Sequence, residues 1–216
     1  MTNRSKWIIA VPFSLIVALV IPAIAVRDVL WWARTPAAAL FACLSFGMWV
    51  AATGFVDVQR PRGEPDIANR LIALALILAV PIAAYDHARW VAASMPAWVG
   101  VMGIVISMMA IVLGMVTRAH LGRSYAPSPF RRTKDMLVES GPYRWIRHPL
   151  YAAALLWVIG WPLIMASVLA AAIALILVIP AILKRIQTEE AELLRQYGEQ
   201  YEAYRGRTWR LIPFVY

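Results

Sequence analysis

Two short clusters carry the residues best suited to chemistry: Arg147-His148, and Arg185 followed by Glu189-Glu190. The first closes a pinned stretch, Gly141-Pro142-Tyr143-Arg144-Trp145-Ile146-Arg147-His148-Pro149-Leu150-Tyr151, in which one glycine and two prolines restrict the backbone. It holds Arg147 and His148 at the mouth of an apolar helix, a costly place for cations without partners. In the second cluster Arg185 and Glu189 are four residues apart, so they share a helix face. Metal chemistry has little support. His87 and His120 each lack a second ligand nearby in sequence, and Cys43 is the only cysteine, inside an apolar block, so no intrachain disulfide is possible.

The elements that must bring these clusters together are membrane helices. Of the 216 residues, 62% are hydrophobic and 15% charged, and the mean hydropathy is +0.66. Soluble domains are nearer half apolar and a quarter charged. A net charge of +9 does not point to nucleic acid, because the basic residues fall in the gaps between apolar blocks. Membrane lipids with anionic headgroups, and an acidic cofactor, fit better. Four blocks, 7–26, 36–56, 71–85 and 97–117, read as spanning helices. Arg4 and Lys6 before the first block, with Ala23-Ile24-Ala25 at its end, imitate a cleaved signal. At 20 residues the block is long enough to span, and it is read as the first transmembrane helix.

The run 149–183 contains no charged residue and is 35 residues long. As one helix it would extend about 52 Å at ~1.5 Å per residue, too long for a hydrocarbon core of ~30 Å. Ser167 sits at its middle among small residues, so a hairpin with legs at about 150–166 and 168–183 is expected. Pro162 and Pro180 would kink or end helical turns in those legs. A hairpin returns the chain to the side it left. It draws Arg147, His148, Arg185, Glu189 and Glu190 together although about 40 residues separate them. It also places the N-terminus, 57–70, 118–148 and 184–216 in one compartment with 18 of the 21 Lys and Arg residues, leaving Arg27, Arg34 and Arg89 opposite. By the positive-inside rule the N-terminus and the candidate site are cytoplasmic. Trp31, Trp32, Trp90 and Trp98 fall at span ends, as an interfacial belt would.

On charge alone, Arg147 and Lys184 are ordinary interfacial anchors, and Glu189-Glu190 open a solvated amphipathic helix. That leaves the Gly-Pro-Tyr spacing and the His-Pro pair without a reason. The stretch 141–151, followed 38 positions later by Glu189 and Glu190, resembles the isoprenylcysteine carboxyl methyltransferase family. This family of integral membrane enzymes is related to phospholipid N-methyltransferases and thiol methyltransferases. The resemblance covers roughly 118–216, including Leu121-Gly122 and the tail residues Tyr197-Gly198, Tyr201, Tyr204 and Leu211-Ile212-Pro213. The first three spans match in little beyond hydrophobicity.

The resemblance implies an all-α, polytopic membrane helix bundle of about four spanning helices, a C-terminal helical hairpin and an amphipathic cytoplasmic tail helix. The chain would form a single domain, 1–117 giving spanning helices and 118–216 the cofactor-binding loop, hairpin and tail. The implied cofactor is S-adenosyl-L-methionine. Asp135, Met136, Leu137, Val138 and Tyr143 would line it, and His148, Pro149, Leu150 and Tyr151 would continue the wall. Glu189 would take the cofactor's ammonium, with Glu190 supporting the site, and Arg185 would bind the substrate. Arg147, Arg185 and Glu189 form the implied catalytic set. Asp135 departs from the family, which often has histidine there.

The implied reaction is methyl transfer to a lipophilic small-molecule or lipid acceptor. Such a displacement needs in-line positioning and exclusion of water. Carboxyl O-methylation of a prenylcysteine-like substrate stands first, and N-methylation of a phospholipid amine or S-methylation of a thiol stands beside it. A noncatalytic transporter or accessory subunit is the reading from another class. No residue is singled out as a general base. The tail residues Tyr197, Tyr201, Tyr204, Trp209 and Phe214 either cover the cofactor's adenine or pack an amphipathic helix on the membrane surface.

Overall fold

The computed structural model describes residues 67–87, 95–124 and 137–214. The expected spans 7–26 and 36–56, with Cys43, lie outside the described residues, as do Asp135 and Met136. Within the described residues the architecture is all-helical. The helices are α1 (Ile67–Asp86), α2 (Ala97–Ser124), α3 (Pro149–Ile164), α4 (Val168–Tyr197) and α5 (Glu199–Gly206), with a 3-10 turn at Gly141–Arg144 before α3. α2 packs along α3, α1 packs along α4, and α3 and α4 lie against each other.

The expected hairpin is present. Pro149 opens α3, where its missing N–H costs nothing. At 16 residues α3 reaches about 24 Å. Its end is closed by two reversed hydrogen bonds, Ser167 N–H to the Pro162 carbonyl and Ala166 N–H to the Leu163 carbonyl, each 3.0 Å. This Schellman geometry requires a left-handed residue, supplied by Ala166 at φ 52°. The next residue starts the second leg, because Ser167 Oγ accepts from Ala170 N–H at 3.1 Å as the N-cap of α4. The same hydroxyl donates to Asp86 Oδ2 at 2.5 Å, fastening the turn to the end of α1. α4 does not stop near 183; it runs unbroken to Tyr197, so its charged half stands clear of the apolar half. Gly198, at φ 53° and ψ −125°, then breaks the helix before α5.

Close approach of α2 and α3 depends on two glycines. A Cβ on Gly103 would lie 2.6 Å from Ile164 N, and one on Gly160 would lie 2.8 Å from Ser107 N. The buried stripe Gly103, Ser107, Ala110, Gly114 and Thr117 keeps the spacing of one helix face, the small-residue packing of membrane helices. The opposite face of α2 exposes Trp98, Met102, Val105, Met109, Val112 and Met115. Residues Ala97–Leu121 of α2, and α4, are long and apolar enough to cross a bilayer.

Replacing Ser167 by alanine removes a helix cap, worth about 1 kcal/mol, and strands the half-buried Asp86 carboxylate. Thermal unfolding in detergent is expected to move several degrees lower for Ser167→Ala, while Ser167→Thr, which keeps both hydrogen bonds, stays near the parent. Coincident transitions for all three proteins would show that the turn is not fastened this way.

Candidate functional site

The site is built where the hairpin's two ends meet. Gly141, at φ 61°, lets the 3-10 turn close against α2, since a Cβ there would overlap the His120 ring. The His120 ring is steadied by a 2.8 Å hydrogen bond between Nδ1 and the Val116 carbonyl. From the turn the chain runs beside the C-terminal segment 208–211. Trp209 N–H donates to the Trp145 carbonyl at 2.9 Å, Arg147 N–H to the Trp209 carbonyl at 2.7 Å, and His148 N–H to the Arg210 carbonyl at 3.1 Å. This pairing includes a parallel bridge between Ile146 and Trp209. Every backbone group so used is one that an irregular loop would otherwise leave unpaired.

Glu190 is the centre of the charge network. Its Oε1 accepts from Arg147 Nε at 3.0 Å and Arg210 Nε at 3.1 Å, and its Oε2 accepts from the Arg210 terminal nitrogen at 2.6 Å. His148 Nε2 stands 3.4 Å from Oε1. Arg147 Nη1 donates to the carbonyls of Arg205, at 3.0 Å, and Thr208. Tyr204 OH donates to the Tyr143 carbonyl at 2.7 Å, and Arg207 pairs with Glu139. The turn, α4, α5 and the C-terminal segment are thereby tied to one buried carboxylate.

Glu189 has a different environment. Its Oε1 accepts from Tyr151 OH at 2.8 Å, and its Oε2 lies 3.4 Å from His148 Nδ1. Its side chain is 29% exposed, against 9% for Glu190. Arg185 reaches the same Tyr151 hydroxyl, so Arg185, Tyr151 and Glu189 share one patch. The result is an oriented carboxylate open on one side and backed by protein on the other.

Burial alone would depress the His148 pKa. Hydrogen bonds and charge from Glu189 and Glu190 outweigh that, and hold it above its ordinary 6.5. The Tyr143 hydroxyl is pushed up by burial and then by the Glu189 charge, so it stays a neutral donor at physiological pH.

Of the residues singled out in the sequence, Arg147, His148, Arg185, Glu189, Glu190 and Tyr151 come together. Pro149 and Leu150 are buried beside them at the start of α3. Tyr143 lies within electrostatic reach of Glu189, and Leu137 and Val138 are half-buried in the segment before the turn. Asp135 and Met136 fall outside the described residues. Sequence reasoning missed Arg210, which makes the two-pronged contact with Glu190, and Thr208, whose carbonyl anchors Arg147. Their only sequence signal was a polar Thr-Trp-Arg step just before the closing apolar residues.

The described residues form a helical protein, with two helices long and apolar enough to cross a bilayer, in which a hairpin brings an Arg-His-Pro turn onto a Glu-Glu pair. A family model described as phospholipid methyltransferase matches residues 95–200. The protein-S-isoprenylcysteine O-methyltransferase of Schizosaccharomyces pombe is 31% identical over 86 residues, covering 39% of this chain and 36% of that protein. The Saccharomyces cerevisiae protein of the same name is 27% identical over 117 residues, or 51% and 49% of the two chains. Protein-S-isoprenylcysteine O-methyltransferase B of Arabidopsis thaliana is 28% identical over 120 residues, or 55% and 61%. The chain thus spans from about a third to three-fifths of these relatives' lengths. A solved structure of a eukaryotic intramembrane Ras methyltransferase, an isoprenylcysteine carboxyl methyltransferase, shares the fold. Its TM-score is 0.52 at 20% identity, over 95% of this chain and 74% of that one. These comparisons support the likeness to the isoprenylcysteine carboxyl methyltransferase family that the residues at 141–151 and the paired glutamates had implied.

The raised pKa of His148 makes stability depend on pH. An unfolded histidine titrates near 6.5 and this one above it, so its stabilising contribution is complete below 6.5 and is lost as pH rises through the folded value. The unfolding temperature of the purified protein is expected to fall with rising pH over that window, and His148→Gln is expected to flatten the fall. A parent profile as flat there as the variant's would contradict a charged His148 between the two glutamates.

Proposed function

We propose that this chain is an integral membrane methyltransferase that uses S-adenosyl-L-methionine and acts on a lipophilic acceptor, carboxyl O-methylation of a prenylcysteine-like substrate being the first choice. The observation that carries the reading is the division of labour between the two glutamates. Glu190 is consumed by Arg147, Arg210 and His148, while Glu189 is held by Tyr151 and left partly open. An open, oriented carboxylate fits the ammonium of the cofactor's methionine moiety. Tyr143, His148, Pro149, Leu150 and Tyr151 fit as the wall beside it, with Leu137 and Val138, and Asp135 and Met136 by sequence. When bound, the cofactor supplies a methyl group on a positively charged sulfur.

The chain's own residues have three tasks. Glu189 orients the cofactor, and Tyr151 and His148 keep Glu189 from swinging away. Arg185, beside Tyr151, holds an anionic acceptor in line, as a guanidinium fork suits a carboxylate. The buried Pro149, Leu150 and Ile146 exclude water, which favours a displacement in which opposite charges cancel. A carboxylate acceptor needs no general base, consistent with a site that singles none out. The positive-inside distribution supports a cytoplasmic site and N-terminus, on the side where the cofactor is dissolved. N-methylation of a phospholipid amine is the second reading, favoured by the description of the family model over 95–200.

Calorimetric titration of the purified protein with S-adenosyl-L-methionine is expected to give saturable binding. Glu189→Ala should weaken it by roughly ten- to a hundredfold, the loss of a hydrogen bond to a charged group. Arg185→Ala should bind the cofactor as the parent does but turn over more slowly. Absence of binding by the parent sinks the enzyme reading, and equal affinity in Glu189→Ala sinks the role given to that carboxylate. Transfer from radiolabelled cofactor to membrane extracts separates the two acceptors, since only a methyl ester releases volatile label in base.

A further inference from the structure

The two backbone segments that close the site also carry an outward face that the site does not use. Along the pairing of 145–148 with 209–211, Ile146, His148 and Leu211 are buried, and Arg147 and Arg210 go to Glu190. The residues that flank them turn out. Trp145 is 65% exposed, Trp209 40%, Ile212 49% and Phe214 84%. The Trp209 and Phe214 rings are 5.4 Å apart, and the Arg144 guanidinium sits 5.9 Å over the Trp145 ring. Arg205 and Arg207 add exposed positive charge on the same segment. Trp145 is four residues before Pro149, the first residue of the apolar helix α3, so this face stands at the level where the chain leaves the bilayer.

Water accounts poorly for so many large apolar side chains on ten consecutive-to-paired residues. Indole and phenyl rings mixed with arginine are the composition that the bilayer's headgroup level takes up. The arginines choose among lipids, because a basic segment is drawn to an anionic leaflet and gains little from a zwitterionic one. We propose that Trp145, Trp209, Ile212 and Phe214, with Arg144, form a docking face for the surface of an anionic phospholipid bilayer. Seating that face holds the C-terminal segment, and Arg210 with it, against Glu190. The inference goes beyond the methyl-transfer reading and does not depend on which acceptor is used.

The test is positional and needs neither cofactor nor acceptor. Ile212→Cys in a Cys43→Ser background gives a single thiol, which takes an environment-sensitive fluorophore after which the protein is placed in nanodiscs. In nanodiscs containing phosphatidylglycerol, brominated phospholipid is expected to quench the probe and acrylamide in the water to leave it bright. In phosphatidylcholine alone that order reverses. Arg144→Gln is expected to lower the docked-to-undocked ratio about fivefold in the anionic discs, the usual contribution of one basic residue at such a surface. Amide exchange across 209–211 should quicken wherever the probe is undocked. Quenching by acrylamide in both compositions overturns the proposal, as does shielding from both quenchers, which would mean a protein cover. Equal quenching by brominated lipid in both compositions overturns the anionic requirement.

Discussion

Glu190 is the residue on which the organisation of the C-terminal half depends. A carboxylate that is 9% exposed is tolerable only with its charge and lone pairs met. Here they are met by Arg147 from the turn before α3 and Arg210 from the C-terminal segment, with His148 at the N-cap of α3. Two stretches distant in sequence, 147–148 and the segment carrying Arg210, must therefore converge on one turn of α4. Arg147 extends the constraint, because its Nη1 donates to the carbonyls of Arg205 and Thr208. Removing any one cation would leave the others holding an imperfectly compensated charge, which is why such networks are rigid when complete.

The hairpin is fastened at both ends, by different means. At the closed end a backbone motif and a serine suffice: Ala166 takes the left-handed turn, and Ser167 caps α4 while gripping Asp86. At the open end the fastening is ionic, and it leaves one carboxylate over. Glu189 and Glu190 are consecutive in α4, so they point about 100° apart on the helix. That angle turns Glu190 into the network and Glu189 toward Tyr151 and the opening. The pair is thus a structural carboxylate beside an available one, and His148 touches both.

Much of this was legible in the sequence for a geometric reason. An uncharged run of 35 residues cannot cross a bilayer once, so it must fold back, and folding back brings its charged flanks together. The convergence of Arg147, His148, Arg185, Glu189 and Glu190 needs nothing further. The extent of α4 was less legible, because the change from apolar to charged residues at 184 marks the membrane boundary and not a helix end. Nothing between 184 and 197 breaks a helix, and Gly198 does. Arg210 was hidden because its partner is found through a short parallel pairing between segments some 60 residues apart, with no hydrophobic period to announce it. The contact between Ser167 and Asp86 was hidden likewise: Ser167 marks the hairpin's turn, but nothing names its partner until the fold puts 81 residues of separation within a hydrogen bond.

A charged network at the boundary of a membrane reconciles two demands that conflict elsewhere. A site for a polar cofactor needs fixed charges, and a site for a lipophilic acceptor needs contact with hydrocarbon. Deep in the bilayer the charges would be too costly, and out in water the acceptor would have no path. On the proposed reading the mouth of the hairpin would satisfy both, because Arg185 and Glu189 follow within two turns of the uncharged run that ends at Leu183, while α3 begins at once with Pro149 and Leu150. The continuous helix is what sets that height. Had α4 ended near 183, the glutamates would hang from a loop, and their position relative to the bilayer would follow the loop. Carried on an unbroken helix, they stand at a fixed distance from the turn at Ser167 that anchors its far end.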